Sequence, residues 1–561
     1  MMTYRPAILR PAVFAITLLV FARLTTCSFT WWDDHATIHQ NPRLNPPTWN
    51  TLAYYWTTAD EQATMALYVP VTYTVWAALA KIGHLDHPDA EGLNLSAAVF
   101  HSANVLIHAL TAVVVFQLLL RLFGNDLAAF CGALLFALHP VQVESVGWIS
   151  GTKDLLCGLL SSSALLMYVR SVQIKLMNPK GWWPSRWRYL LGLLFFVLAM
   201  LSKPTAVVVP LMAAVIALLF LNRSVRQTIL SLFPWFVLMI PFLYWTRKYQ
   251  PAPWADPLPV WARPAVALDA ITFYFYKLIW PIHLCIDYGH NPKTIAANHT
   301  IYFTWIVPIA AAAVLWWRYE RCRPMVAAAL LFLMPLLPVL GLVPFEFQMV
   351  STTADHYLYL PMVGAGALLA WTITRSKIPI TAVFVLLIAL ATRTILQEPV
   401  WQNSRSLFHH ALAVNPNSIE ACDNLGFVTG RDARRLIDAG RAADAHPLFD
   451  ESIDWYRRSL ARENTNVPSM YNLALDYQMI GRTGLGLEQI HKIVQLQPEL
   501  PEGLKMDPPV RLAQILVDFG ALPGAAAWLD QVIRENPNNL AAMQWRIRVD
   551  QMMQHPATRP S

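Results

Sequence analysis

The residues best equipped for chemistry are two adjacent carboxylates, Asp33 and Asp34, in the run Phe29-Thr-Trp-Trp-Asp-Asp-His35. A carboxylate placed beside an acceptor hydroxyl can take its proton as the oxygen attacks carbon. Cations can carry the charge that develops on a departing phosphate. The chain offers both types at the ends of apolar segments: His139, Glu144, Lys153, Asp154, Lys203, Asp355 and His356. Ionisable groups at such places are costly unless they pair, line a wet cavity or react. Singly, each is most simply an interfacial anchor or half of an ion pair; the convergence of acids and bases on one side carries more weight. Together they suit transfer of a sugar from a lipid phosphate, with Asp33 or Asp34 as base and Lys203 and Lys153 facing the phosphate. Mutual repulsion raises one carboxyl of an adjacent pair from about 3.9, which makes it a better base. The pair could instead ligate Mg or Mn through hard oxygens, but two neighbouring carboxylates are a thin ligand set, and the reading requires no cofactor.

Those residues must be positioned by membrane helices. The 561 residues are 56% hydrophobic and 14% charged, against roughly 25% charged in soluble domains. Apolar stretches long enough to span a bilayer lie near 8–28, 96–120, 127–145, 154–170, 187–202, 204–222, 229–246, 300–318, 325–343, 357–374 and 378–395. The segments 66–83, interrupted by Pro70, and 264–284 read as helices lying in the interface. The eleven spans put Arg5, Arg10, Arg121, Arg170, Lys175, Lys180, Arg186, Arg188, Arg223, Arg226, Arg318, Arg321, Arg323, Arg375 and Lys377 on one face, with only Asp126 and Glu320. The other face, before residue 400, collects the remaining acidic residues. Making 66–83 a span would break that pattern. The positive-inside rule then places the N-terminus in the cytoplasm and the C-terminal part outside it. The basic excess, 26 Lys and Arg against 17 Asp and Glu over residues 1–400, therefore reports orientation and not nucleic-acid binding. The N-terminal apolar run, without a convincing small-residue cleavage site, reads as a retained first helix.

The six cysteines, at 27, 131, 157, 285, 322 and 422, show no CxxC or zinc spacing and imply no disulfide framework. There is no Gly-rich loop of the Walker or Rossmann kind, which fits a donor carried on lipid. Beyond residue 400 the composition turns polar and self-similar. Asn415-Pro-Asn417, Asn464-Thr-Asn466, Gln497-Pro498 and Asn536-Pro-Asn538 recur as turns near the ~34-residue tetratricopeptide period, with an insertion around Arg431–His446 and an irregular Pro-rich turn at Pro498–Pro509. Such repeats stack into an α-solenoid that binds a peptide or protein, or serve as a lid or dimerisation module.

Six runs in order resemble a known family. They are Trp32-Asp-Asp-His-Ala-Thr-Ile-His-Gln-Asn-Pro-Arg43, Leu138-His-Pro-Val-Gln-Val-Glu-Ser-Val-Gly-Trp148, Gly151-Thr-Lys-Asp-Leu155, Leu201-Ser-Lys-Pro204, Lys277-Leu-Ile-Trp-Pro-Ile-His283 and Ala354-Asp-His-Tyr-Leu-Tyr-Leu-Pro361. They are similar to GT-C glycosyltransferases with tetratricopeptide repeats: bacterial membrane proteins and, more distantly, transmembrane O-mannosyltransferases of the animal endoplasmic reticulum. The resemblance implies an all-α polytopic GT-C-like domain over 1–398, with a first outer loop at about 29–95. A tetratricopeptide-like domain over 399–550 and a flexible tail, 551–561, follow. It implies inverting transfer from a polyprenyl- or dolichyl-phosphate carrier to a hydroxyl of a protein or glycan acceptor, which could dock on the repeats. Asp33 corresponds to the family's base. The site is expected on the outer face of a bacterial inner membrane, or in the reticulum membrane if the source is eukaryotic. Thr152 and His356 stand where relatives often carry Arg, removing two permanent cations. A catalytically inactive scaffold presenting the repeats is therefore the rival reading. A transporter is the weaker one, since no duplicated halves appear among the spans.

Overall fold

A computed structural model describes residues 6–58, 68–89, 92, 94–177, 182–249, 258–297, 299, 301–320, 322–496 and 509–554. Outside them lie Arg5, Lys180 and Arg321 of the basic loops, the start of segment 66–83, most of the Pro498–Pro509 turn and the end of the expected tail. The regular elements among the described residues are all helices, with no strand among them and two isolated bridges, Leu44 with Pro47 and His84 with Leu95. Residues 551–554, expected in the tail, complete the helix Leu540–Gln554.

The chain forms two compact units, Met1–Val414 and Asn415–Ser561. The division falls past the expected 398/399 boundary. Helix Ser404–Val414 stays with the first unit because its Phe408 meets Trp32, and its Ser404 hydroxyl accepts from Trp31 N.

Five helices of the first unit are long and apolar enough to cross a membrane: Ala7–Thr26, Ala97–Phe123, Ile149–Met177, Val225–Trp245 and Ile380–Trp401. The other six expected spans hold shorter or more polar helices, several of them cut by proline. In the 127–145 segment the long helix ends at Leu138, running over Asp126–Leu138. Pro140 disfavours helical backbone at His139, which is extended with φ −72° and ψ 134°. His139 and Glu144 thereby fall outside that helix, Glu144 on the short helix Gln142–Gly147. Pro335 and Pro338 sit where Arg323–Leu333 tightens into a 3-10 turn, Met334–Val339. Segment 66–83 yields Pro70–Ile82, 13 residues, about 20 Å at 1.5 Å per residue and too short to span about 30 Å of hydrocarbon.

The helix Asp126–Leu138 is buried almost all round, so it lies at the bundle's centre. It packs against Ala97–Phe123 and against Met362–Arg375, and small residues permit the second contact. A Cβ on Gly132 would stand 2.5 Å from the Gly366 carbonyl oxygen, and one on Gly366 equally close to Gly132 O. Gly132→Ala is therefore expected to force the two backbones apart and lower the melting temperature in detergent by several degrees. Wild-type melting in that variant would show the approach to be looser. The outer surface is apolar: Ile229, Leu230, Phe233, Val237 and Ile240 project from Val225–Tyr249, and Ile306–Trp317 buries no residue. Between the first two spans, Trp49–Thr57 and Pro70–Ile82 close a small core of Phe29, Ile38, Leu44, Tyr55, Tyr73 and Trp76 beneath the loop that carries Asp33.

The second unit has seven described helices: Ile419–Asp438, Ala442–Leu460, Val467–Met479, Thr483–Leu496, Pro509–Asp518, Leu522–Glu535 and Leu540–Gln554. Each packs on the next. The residues around Arg431–His446 lengthen the first helix pair to 20 and 19 residues. Gly440, Gly481 and Gly520 occupy equivalent turns, each at φ +74°, a left-handed conformation in which glycine is the least strained residue. After each glycine, the next N–H bonds back to the helix: Arg441 to Leu436 O, Arg482 to Tyr477 O, Ala521 to Leu516 O.

Candidate functional site

Asp33 and Asp34 are neighbours in sequence with opposite environments. Asp34 is 1% exposed and its carboxylate is saturated. Thr30 N and Oγ1 donate to Oδ2 at 2.9 and 2.8 Å, and Ser150 N and Oγ donate to Oδ1 at 2.9 and 2.8 Å. Burial raises its pKa to about 6 against those four bonds. Asp34 thus ties the loop after the first helix to the turn before helix Thr152–Met177.

Asp33 receives no hydrogen bond on its carboxylate among the described residues, and its backbone sits at φ +102°. That is a strained place for a residue with a side chain. Its neighbours hold it there: its carbonyl accepts from Thr37 N at 2.9 Å and Thr37 Oγ1 at 2.8 Å, while Asp34 is pinned on the other side. Desolvation raises the Asp33 pKa, and the Lys153 charge opposes that rise.

Lys153 makes no ion pair or hydrogen bond among the described residues; its ammonium stands 5.0 Å from the centre of the Trp148 ring. Asp33, Lys203, Asp154 and Asp34 are the charges that act on it. Lys203 is extended ahead of Pro204, and its chain neighbours are held by Thr72 Oγ1, which donates to Ser202 O at 2.9 Å, and by Val71 N, which donates to Leu201 O at 3.2 Å. Its Nζ meets Asp154 Oδ1 at 2.5 Å, both side chains largely buried, and Asp154 Oδ2 is left without a partner.

A second buried pair adjoins this one. His356 Nδ1 contacts Glu144 Oε1, and Glu144 Oε2 has no partner. Burial, then the charges of Asp355 and Asp154, push Glu144 upward; burial, then Lys203 and Lys153, push His356 downward. Asp355 accepts from the Tyr288 hydroxyl at 2.8 Å and is also raised by burial. A cavity of about 10 Å³ bordered by Glu144, Asp355, Cys285 and Gln397 is about the size of one water.

The structure therefore brings Asp33, Lys153, Lys203, Asp154, Glu144, Asp355 and His356 into one connected set. His139 stands apart: its Nε2 bonds Leu278 O at 3.0 Å and its Nδ1 faces Val141 N, with burial pushing it down to about 4. Thr152 is fully buried, its hydroxyl 2.7 Å from Asn104 Oδ1 and 2.6 Å from Ile149 O, and Asn104 donates to Trp148 O at 2.9 Å. Small hydrogen-bonded groups thus fill the place where the resemblance expects Arg. Reading the sequence missed Thr30, Ser150, Asn104 and Tyr288. Ser150 lies between two motif runs, but nothing in its spacing marks it as the partner of a residue 116 positions earlier.

Residues 94–245 match the family described as dolichyl-phosphate-mannose-protein mannosyltransferase; Lys153, Asp154 and Lys203 lie inside that stretch, Asp33 and His356 outside it. Protein O-mannosyl-transferase TMTC4 of Mus musculus is 25% identical over 415 residues, covering 62% of this chain and 53% of the mouse protein. Protein O-mannosyl-transferase TMTC3 of Homo sapiens is 23% identical over 537 residues, covering 85% of this chain and 54% of the human protein. A protein O-mannosyl-transferase of Caenorhabditis elegans is 24% identical over 370 residues, covering 63% and 50%. The chain spans about half the length of these curated relatives. It is distantly related to the transmembrane, tetratricopeptide-containing O-mannosyltransferases.

Proposed function

We propose that the first unit is a membrane glycosyltransferase that moves a sugar from a polyprenyl- or dolichyl-phosphate carrier to an acceptor hydroxyl on the extracytoplasmic face, with inversion. The observation that carries this reading is the contrast between the two carboxylates. Asp34 is occupied by four hydrogen bonds, while the Asp33 carboxylate accepts none among the described residues, and Asp33 is strained and within the field of an unpaired lysine. Unpaired, strained groups collect at reacting centres because the fold must hold them against their own preference.

In the reaction, the acceptor oxygen forms its bond to the anomeric carbon while the hydroxyl proton passes to an Asp33 carboxylate oxygen. The bond from that carbon to the phosphate oxygen breaks, and its electron pair leaves on the lipid phosphate. Lys153 and Lys203 face that phosphate and stabilise the charge it gains. Asp154 holds Lys203 in place, and Glu144, Asp355 and His356 complete the buried polar wall. The helices of the second unit form a tetratricopeptide-like solenoid that takes an acceptor protein or a partner.

The test is sugar release from radiolabelled polyprenyl-phosphate sugars, mannose first, by purified wild type and Asp33→Asn. Turnover that vanishes in Asp33→Asn supports the enzyme and its base. Indifference of every donor to both proteins, equally well folded, would leave the repeat-bearing scaffold as the better reading. The pH profile gives a second check. A base works ionised, and burial raises the Asp33 pKa, so activity is present above that raised value and is lost as pH falls through it, starting above the usual carboxylate range of about 3.9. Lys153→Met removes the opposing charge. Its acid limb in kcat/KM should move to higher pH, in addition to any uniform loss of rate; an unmoved limb would detach Lys153 from Asp33.

A further inference from the structure

His356 stands where the resemblance leads one to expect Arg, and its surroundings give it a conditional charge. The ring is 7% exposed and packed against Trp148, Phe347 and Tyr357, with ring centres 5.6, 6.1 and 4.2 Å away. Nδ1 is committed to Glu144 Oε1, whereas Nε2 makes no hydrogen bond among the described residues. The ionisable groups around the pair come from each packed element: Glu144 itself, Lys153 and Asp154 from helix Thr152–Met177, Lys203 before Pro204, Asp355 and Tyr357 beside the ring, Tyr274 and Lys277 from Arg263–Ile279, Cys285 and Tyr288 after it, and Glu346 next to Phe347.

Resting on the donor site proposed above, we infer that Glu144 and His356 hold one proton between them. A lipid phosphodiester seated against Lys153 and Lys203 draws that proton onto His356, whose Nε2–H then donates to a phosphate oxygen. In the empty site the two lysines repel a third cation, so the proton rests on Glu144 and the ring is neutral; the opposed directions of the two groups fit that arrangement. A bound anion cancels part of the lysine field and reverses the bias. The proton moves only from Glu144 Oε1 to His356 Nδ1 across an existing hydrogen bond, so none is exchanged with solvent. An arginine would be charged in both states. Histidine supplies the cation when the phosphate is present and spares the empty site a buried like-charge cluster.

The experiment measures binding of methyl farnesyl phosphate to the full chain in detergent from about pH 6 to about pH 9. This sugar-free phosphodiester keeps a single negative charge throughout, so its own titration does not enter. Wild-type affinity should fall about tenfold as rising pH strips the shared proton, which turns a neutral pair into an anionic one beside the phosphate. His356→Arg should bind tightly with little pH dependence. The double variant His356→Gln with Glu144→Gln, which keeps a neutral donor, leaves no proton to share and serves should the arginine variant fail to fold, should bind about tenfold more weakly at the lower pH and also without slope. Parallel pH profiles in wild type and the double variant, with binding still lost in Lys203→Met, would overturn the shared proton and leave the donor site standing. No wild-type binding at any pH, or indifference to Lys203→Met, would remove the donor site and the inference with it.

Discussion

Asp33→Asn is expected to cut sugar transfer by about a thousandfold and to melt no lower than wild type. The first half follows from removing the proton acceptor while leaving shape and volume nearly unchanged. The second follows from what Asp33 lacks. Its carboxylate gives up no hydrogen bond on becoming an amide, it sheds a desolvated charge, and Asn tolerates a positive φ better than most residues. Stability retained or gained on loss of activity is the signature of a group kept for chemistry. Asp34→Asn should do the reverse. One of its two oxygens becomes an NH2 that faces a backbone N–H and a hydroxyl from Thr30 or Ser150; the hydroxyl can turn to accept from it, but the buried backbone N–H is left unpaired at a cost of about 1 to 3 kcal/mol. Thermal melting and radiolabelled transfer, measured on both variants, separate the roles. A stable, inactive Asp34→Asn beside an active Asp33→Asn would exchange them.

What the sequence made legible was whatever depends on composition along a segment. The helical character of the spans, the break of 66–83 at Pro70 and the change of regime after residue 400 are all readable from apolar runs and proline. Helix ends were readable only where proline set them: Pro140 was in view, and its consequence, that His139 and Glu144 leave the helix, is the kind of boundary that a hydropathy window smooths over. The site was legible by residue type but not by role. Asp33 and Asp34 have the same chemistry and opposite surroundings, and the difference lies in Ser150, which only the fold brings alongside. His139 looked like its ionisable neighbours and turned out to hold a backbone carbonyl. The repeats show the opposite case: the local glycine turns at 440, 481 and 520 are a sharper periodic signal than the Asn-Pro turns, because a left-handed residue is demanded there by geometry.

Lys203→Met should be the most destabilising of the site substitutions, and for a reason separate from catalysis. The Lys203–Asp154 contact, at 2.5 Å with side chains 13% and 8% exposed, is a buried pair in which one carboxylate oxygen already lacks a partner. Removing the lysine leaves Asp154 as an uncompensated buried charge, which costs about 3 to 5 kcal/mol. Restoring neutrality at the other end separates structure from function. The double variant Lys203→Met with Asp154→Asn should regain most of the lost melting temperature, because the uncompensated charge is gone, and should still fail to turn over donor, because the cation that meets the phosphate is gone too. If the double variant recovered activity together with stability, Lys203 would be a packing residue and the leaving phosphate would have to be met by Lys153 alone. If Lys203→Met instead melted like wild type while losing activity, Asp154 would have to find another partner, and the nearest candidate by charge is Lys153, which would swing from the Asp33 side of the site. That movement would raise the Asp33 pKa further, since Asp33 would lose the cation that steadies its ionised form.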